Sequence, residues 1–263
     1  MKFKPSIIVV IMLFFLAACA STQNKPSAQD ERNPQFQYER AVVCIQYGFA
    51  DEAVKYLNQA LLLDPRHYLS YNLLGLSYIT KANLPAAAQA FENCIAIQPD
   101  FSEAQNNVGT VYQELGQLDK AEAAFKKAYS LNQNYNASYN LAKIYYSQNK
   151  FELALDFVQK SLDKYDRSLL AWNLRGLIYE NMNKFDDAVS SYVRALKIVP
   201  NEVNVSFNLG IVYYNNGQFD KAKEILEKAR DSLAKAPANS KNDDLKAKIN
   251  DVLKKLRERS ALD

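Results

Sequence analysis

Self-similarity at a spacing of about 34 residues constrains this chain more than any other feature. The octapeptide Tyr71-Asn72-Leu73-Leu74-Gly75-Leu76-Ser77-Tyr78 returns as Gln105 to Tyr112, Ser138 to Tyr145, Trp172 to Tyr179 and Ser206 to Tyr213. After each closing tyrosine comes a small residue at a fixed offset: Ala87, Ala121, Ala154, Ala188 or Ala222. A large residue follows it one helical turn on, as Phe91, Phe125, Val158, Tyr192 or Leu226. A small residue then returns as Cys94, Ala128, Ser161, Ala195 or Ala229. Pro65, Pro99 and Pro200 close three of the units, and a first unit shows through Tyr38, Ala41, Ala53, Leu57, Ala60 and Pro65.

The apolar residues recur with helical spacing, not with the alternation of strands. Each unit therefore predicts two antiparallel helices. One such pair cannot bury its apolar face alone, so consecutive pairs stack. Gly75, Gly109, Gly176 and Gly210 carry no side chain, which lets a neighbouring helix approach closely. The large residue of the second helix fills the remaining gap, because interiors pack near crystal density. Gly116-Gln117, Asn149-Lys150 and Gly217-Gln218 predict tight turns between helices. Trp172 reads as a large core residue and Ala121 as a small one. The fold class predicted is all-α, a superhelix of about six helix-turn-helix units over residues 34–236.

These residues resemble the tetratricopeptide repeat, with its pattern W-x2-L-G-x2-Y followed by Ala, Phe, Ala and Pro. The first unit lacks the glycine and the closing tyrosine, the third is one residue short, and the fourth has Ala142 for glycine. Arrays of this kind need a polar end cap. Residues 237–263 predict one, a helix opening on Ser240-Lys241-Asn242-Asp243 with Leu245, Ile249, Val252, Leu253 and Leu256 on one face. An amphipathic helix that binds a partner is the alternative reading of the same segment.

The N-terminus reads as a secretory signal over residues 1–18. Lys2 and Lys4 form a basic start, and Ile7 to Leu16 an apolar run. That run is too short to span about 30 Å of bilayer as a helix. Leu16-Ala17-Ala18-Cys19 resembles the lipobox of bacterial lipoproteins. The resemblance implies cleavage before Cys19, diacylglycerol on its thiol and an acyl chain on the new amine. Several chains on one residue anchor a protein stably where one would not. Ala20, not Asp, follows the cysteine, which under Gram-negative sorting implies the periplasmic face of the outer membrane. Residues 19–33 then read as a lipidated cysteine and a solvated tether, about 20 Å long as a coil and about 45–50 Å when stretched.

Net charge is +3, and Lys2 and Lys4 leave with the signal. The near-neutral remainder carries no basic stripe for nucleic acid. Cys44 and Cys94 stand where other units have tyrosine and alanine, so both read as apolar core residues and not as a disulfide. His67 is the only histidine, follows Pro65-Arg66, and reads as a surface turn residue without metal-ligand or dyad partners. No phosphate loop and no block outside the repeats is large enough for a catalytic domain. The chain reads as a non-enzyme with no cofactor, no metal and no small-molecule substrate.

The tetratricopeptide resemblance implies a concave groove lined by the first helix of each pair. Its lining positions are Leu69, Asn72, Leu73, Leu76 and Ile79, then Asn106, Asn107, Thr110 and Gln113. They continue as Tyr139, Asn140, Lys143 and Tyr146, as Leu170, Asn173, Leu177 and Glu180, and as Phe207, Asn208, Ile211 and Tyr214. Asn107, Asn140 and Asn208 can donate and accept, so they could hold an extended peptide backbone; they could equally cap neighbouring helices. Chaperone-type carboxylate clamps need basic residues at two of these positions. Gln35, Leu69, Glu103, Asn136, Leu170 and Asn204 fill one, and Glu39, Leu73, Asn107, Asn140, Leu174 and Asn208 the other. None is basic, so the groove suits an amphipathic or extended protein segment and not a free C-terminal carboxylate.

Lipoprotein signal, tether, six repeats and terminal helix together resemble the pilotin family of type IV pilus systems. That resemblance implies a lipid-anchored periplasmic scaffold that binds secretin subunits and promotes their assembly. Two alternatives remain open at this point. One is an adaptor that recruits peptidoglycan hydrolases or a protease, and the other an accessory subunit of polysaccharide export.

Overall fold

The computed structural model describes residues 27–235 and 239–260. The signal segment, Cys19 and the tether up to residue 26 lie outside the described residues. Among the described residues the chain is all-helical, with fourteen helices and no strand. A short α1 (Ala28–Glu31) precedes α2 (Pro34–Gln46), α3 (Ala50–Leu63), α4 (Tyr68–Thr80), α5 (Leu84–Ile97) and α6 (Ser102–Glu114). Then follow α7 (Leu118–Asn132), α8 (Tyr135–Ser147), α9 (Phe151–Lys164), α10 (Leu169–Asn181), α11 (Phe185–Ile198), α12 (Val203–Asn215), α13 (Phe219–Ala234) and α14 (Ser240–Ser260).

The helices group into two compact units, one ending at Leu115 and the other beginning at Gly116. In the first, α2 pairs with α3 and α4 with α5, and α6 packs on α5. In the second, α8 pairs with α9, α10 with α11 and α12 with α13, with α7 on α8 and α14 on α13. Each unit is a solenoid-like stack of helical hairpins.

The small-against-large pairing holds each hairpin together. A β-carbon on Gly75 would sit 2.6 Å from the Phe91 ring, and one on Gly210 would sit 2.6 Å from Leu226. One on Gly176 would strike the Tyr192 ring. Phe91, Tyr192 and Leu226 are fully buried. Around them Ala87, Ala188, Ala195 and Ala222 are also fully buried, so a larger residue at any of them has no room. The fourth hairpin keeps the same sum of volumes by another route: Ala142 replaces the glycine and Val158 the aromatic ring, and both are fully buried.

The turns within hairpins explain the fixed spacing. The second residue after the first helix takes a left-handed conformation: Gly48, Ala82, Gly116, Asn149, Asn183 and Gly217. The next amide donates to the carbonyl five positions back, as in Asn83 to Tyr78, Lys150 to Tyr145, Lys184 to Tyr179 and Gln218 to Tyr213 at 2.8–2.9 Å. This satisfies an orphan carbonyl at the helix end and sends the chain back at a set angle.

Between hairpins the linkers span residues 64–67, 98–101, 165–168 and 199–202. The linker after α7 holds only Gln133 and Asn134. Gln133 is left-handed at φ 52°, and the Asn134 side chain accepts from the amides of Asn136 and Ala137. That compression is the one-residue shortening seen in the third repeat.

Four sequence expectations change at the edges. Ser27 and Asp30 form a capping box on α1, so the helical part of the chain begins before residue 33. The tether read to Asn33 is therefore shorter at its C-terminal end. Helix α14 is capped by Asn239, whose Oδ1 accepts from the Asn242 amide at 2.9 Å, and not by a box on Ser240. Its Ile249, Val252, Leu253 and Leu256 are buried against Ala222, Leu226, Ala229 and Leu233, so its apolar face is already used as an end cap. Trp172 is half-buried, not enclosed; its Nε1–H donates to the Asp166 carbonyl at 2.7 Å. His67 is not a plain surface residue: it is half-buried at the start of α4, with Nδ1 2.8 Å from Ser70 Oγ and Nε2 3.2 Å from Gln35 Oε1.

Cys44 and Cys94 are free thiols. Cys94 is fully buried, and burial pushes its thiol up to about 12.

Two stability measurements check this packing. Val158→Phe overfills the fourth hairpin and costs about 1–3 kcal/mol in denaturant unfolding. Adding Ala142→Gly recovers most of that loss; a double mutant as unstable as the single one would refute the pairing. Ala82 holds a β-carbon at φ 55°. Ala82→Gly removes that strain and raises stability by about 1 kcal/mol in the same assay.

Candidate functional site

The first helices of successive hairpins lie against one another, α2 on α4 and α4 on α6 in the first unit, α8 on α10 and α10 on α12 in the second. These helices carry the residues expected to line a groove, and each unit holds its own set. The first unit holds Leu69, Asn72, Leu73, Leu76, Asn106, Asn107 and Thr110. The second holds Tyr139, Asn140, Lys143, Tyr146, Leu170, Asn173, Leu177, Phe207, Asn208, Ile211 and Tyr214.

Asn72 is buried, Leu170 is 59% exposed, and the other sixteen are half-buried. Half-buried side chains on a helix face can contact a ligand while still packing at their bases. Leu170 is the most exposed of the apolar ones; Leu177 is on the same helix, and Tyr139 and Phe207 are on the first helices packed against it.

The amides are arranged otherwise than either sequence reading supposed. Asn107 Nδ2 donates to Asn72 Oδ1 at 3.1 Å, and Asn208 Nδ2 donates to Asn173 Oδ1 at 3.1 Å. Asn181 Nδ2 donates to Tyr146 OH at 3.1 Å. These bonds join equivalent helices of consecutive hairpins. Helix capping falls to other asparagines, Asn33, Asn83 and Asn134. Part of each paired amide is therefore spent on fixing hairpin register, and the expected ladder to a peptide backbone is reduced by those bonds. Asn181 was not among the expected lining residues; its place one position after Glu180 was the available signal.

Charge on this face is sparse. In the second unit Lys143 Nζ lies 5.8 Å from the Tyr139 ring centroid. Glu180 accepts from Tyr192 OH at 3.0 Å. Burial raises the Glu180 carboxyl above the usual range, and the tyrosine hydrogen bond offsets this in part. Burial also raises the Tyr139 phenol. The face offers apolar and aromatic surface with isolated polar points, which suits side chains of a protein segment. Among the described residues no group of three His, Cys, Asp or Glu is placed to hold a metal ion. No described helix is long and apolar enough to cross a membrane.

Family models agree with the geometry. Two tetratricopeptide-repeat models match residues 38–100 and 100–167, and a tetratricopeptide repeat protein 21 C-terminal ARM domain model matches residues 135–232. Anaphase-promoting complex subunit 3 of Schizosaccharomyces pombe is 26% identical over 160 residues, 60% of this chain and 24% of that protein. The chain thus spans about a quarter of the length of that curated relative. Among solved structures, PilW, titled a widely conserved type IV pilus biogenesis factor, is similar with a TM-score of 0.70. Identity is 18%, covering 77% of this chain and 94% of PilW. PilF of Pseudomonas aeruginosa gives 0.70 at 15% identity, covering 80% of this chain and 96% of that one. At such identities these likenesses show the fold alone. With repeat models along residues 38–232 and hairpins that follow them, the chain belongs to the tetratricopeptide-repeat family.

Proposed function

We propose that this chain is a non-catalytic scaffold, anchored by lipid on Cys19 to the periplasmic face of the outer membrane, that binds secretin subunits and promotes type IV pilus assembly. The observation that carries the reading is a combination. The residues Leu16-Ala17-Ala18-Cys19 precede an array whose fold matches PilW and PilF over 94% and 96% of their lengths. Tetratricopeptide repeats are typically protein-binding scaffolds, and a scaffold needs only differential affinity for an unassembled segment to promote its assembly.

In this reading the first-helix face takes a protein segment through Leu170, Leu177, Tyr139 and Phe207, with Lys143 and Glu180 setting its orientation. The near-neutral charge of the chain after the signal fits a protein partner better than nucleic acid. Lipid on Cys19 and the tether would hold this face a short distance from the membrane where secretins assemble.

Crosslinking in cells with an affinity-tagged, lipidated protein, followed by mass spectrometry, tests the reading. Enrichment of a secretin is the expected result. Leu170→Glu puts a charge on an already exposed position and changes stability by no more than about 0.5 kcal/mol, yet should abolish the enrichment. Peptidoglycan hydrolases or a protease enriched in place of a secretin would overturn the pilus role and support an adaptor for cell-wall enzymes.

A further inference from the structure

The residue just before the small helix-contact position is aliphatic and buried in four repeats: Leu74, Val108, Leu141 and Leu209. In the other two it is arginine, Arg40 and Arg175. An arginine at a core-facing position needs both a surface for its planar group and a counter-charge.

Arg40 has both. Its guanidinium lies 4.2 Å from the Tyr56 ring centroid, and Nη2 donates to Tyr56 OH at 2.7 Å. Nη1 donates to Glu31 Oε1 at 2.9 Å. Glu31 belongs to α1, outside the hairpin, and Gln37 Nε2 holds it through its carbonyl at 2.9 Å and Oε2 at 3.0 Å. The first hairpin thus captures a carboxylate delivered by a separate segment.

Arg175 has only the aromatic part of that arrangement. Its guanidinium lies 5.1 Å from the Trp172 ring centroid and 5.3 Å from that of Tyr179, and Nη2 donates to Tyr179 OH at 3.3 Å. Arg194, from α11, places a second guanidinium 5.5 Å from the same indole. Among the described residues neither arginine pairs with a carboxylate. Two like charges beside one ring raise each other's energy, and a carboxylate set against them relieves both. Arginine holds such a group through paired, charge-assisted hydrogen bonds.

We propose that Trp172, Arg175 and Arg194 form a docking site for an acidic segment of a partner protein, whose carboxylate takes on Arg175 the place that Glu31 takes on Arg40. None of the three belongs to the first-helix face described above. The site therefore stands whether or not the partner there is a secretin.

Trp172 is the only tryptophan of the chain, so its emission reports directly on its two cationic neighbours. The full-length chain, kept in detergent, is titrated with hexaglutamate, and the same titration is followed by calorimetry. A saturable change in emission with matching heat is expected. Arg175→Leu and Arg194→Gln should each weaken it by about tenfold or more. Arg175→Leu should leave the thermal midpoint unchanged or raised, since four sister repeats carry an aliphatic residue there. Lys197→Gln, at an exposed cation on the helix that carries Arg194, should leave binding unchanged. Absence of both signals at millimolar peptide would overturn the site. So would equal weakening by Lys197→Gln, or a lowered midpoint in Arg175→Leu with binding intact. A response to phosphatidylglycerol vesicles with none to hexaglutamate would also exclude an acidic protein segment.

Discussion

The rest of the structure depends on one steric contact, a residue without a side chain on the first helix against a large residue on the second. Gly75 under Phe91, Gly176 under Tyr192 and Gly210 under Leu226 set how near two helices of a hairpin can come. That distance, with the left-handed turn residue and its long backbone bond, fixes the return angle of the chain. Repeating the same distance and angle brings equivalent helices together, so that residues 35 positions apart, Asn72 and Asn107 or Asn173 and Asn208, meet at 3.1 Å. The first-helix face of each unit is a consequence of this packing. Its residues share a side because the hairpins beneath them are alike.

Much of this was legible because tetratricopeptide packing is written in residue size. Glycine, alanine and aromatic residues at fixed offsets can be read without knowing any contact, and the paired helices of each unit with an end-capping helix follow from them. Even the departures were informative. The missing residue of the third repeat became the two-residue linker at Gln133 and Asn134, and Ala142 was matched by the smaller Val158. What sequence could not show was where polar groups spend their hydrogen bonds. An asparagine on a helix face can cap, pair or bind, and the choice rests on a neighbour 35 positions away. The same holds for Trp172, whose place in the repeat suggests full burial. It is instead half-buried, with Arg175 and Arg194 near its ring and its Nε1–H bonded to the Asp166 carbonyl.

Electrostatics divides the molecule into a quiet face and a few concentrated points. The first-helix face is apolar and amide-rich, with Lys143 and Glu180 as its isolated charges in the second unit. Charge interacts more strongly where it is partly shielded from water, as at Glu180, which accepts from the buried Tyr192, than at the exposed lysine–carboxylate pairs along α9, α13 and α14. Those surface pairs, such as Lys160 with Asp156 and Lys228 with Glu224, are local helix contacts and add little.

The most direct test compares two exposed leucines of the same unit on opposite helix types. Leu170 lies on a first helix at 59% exposure, and Leu153 on a second helix at 46%. A photocrosslinking amino acid is placed at each in turn, in the full chain in living cells. A discrete adduct to one partner from position 170, and none from position 153, is the result this account predicts. Equal adducts from both positions, or an adduct from 153 alone, would contradict it.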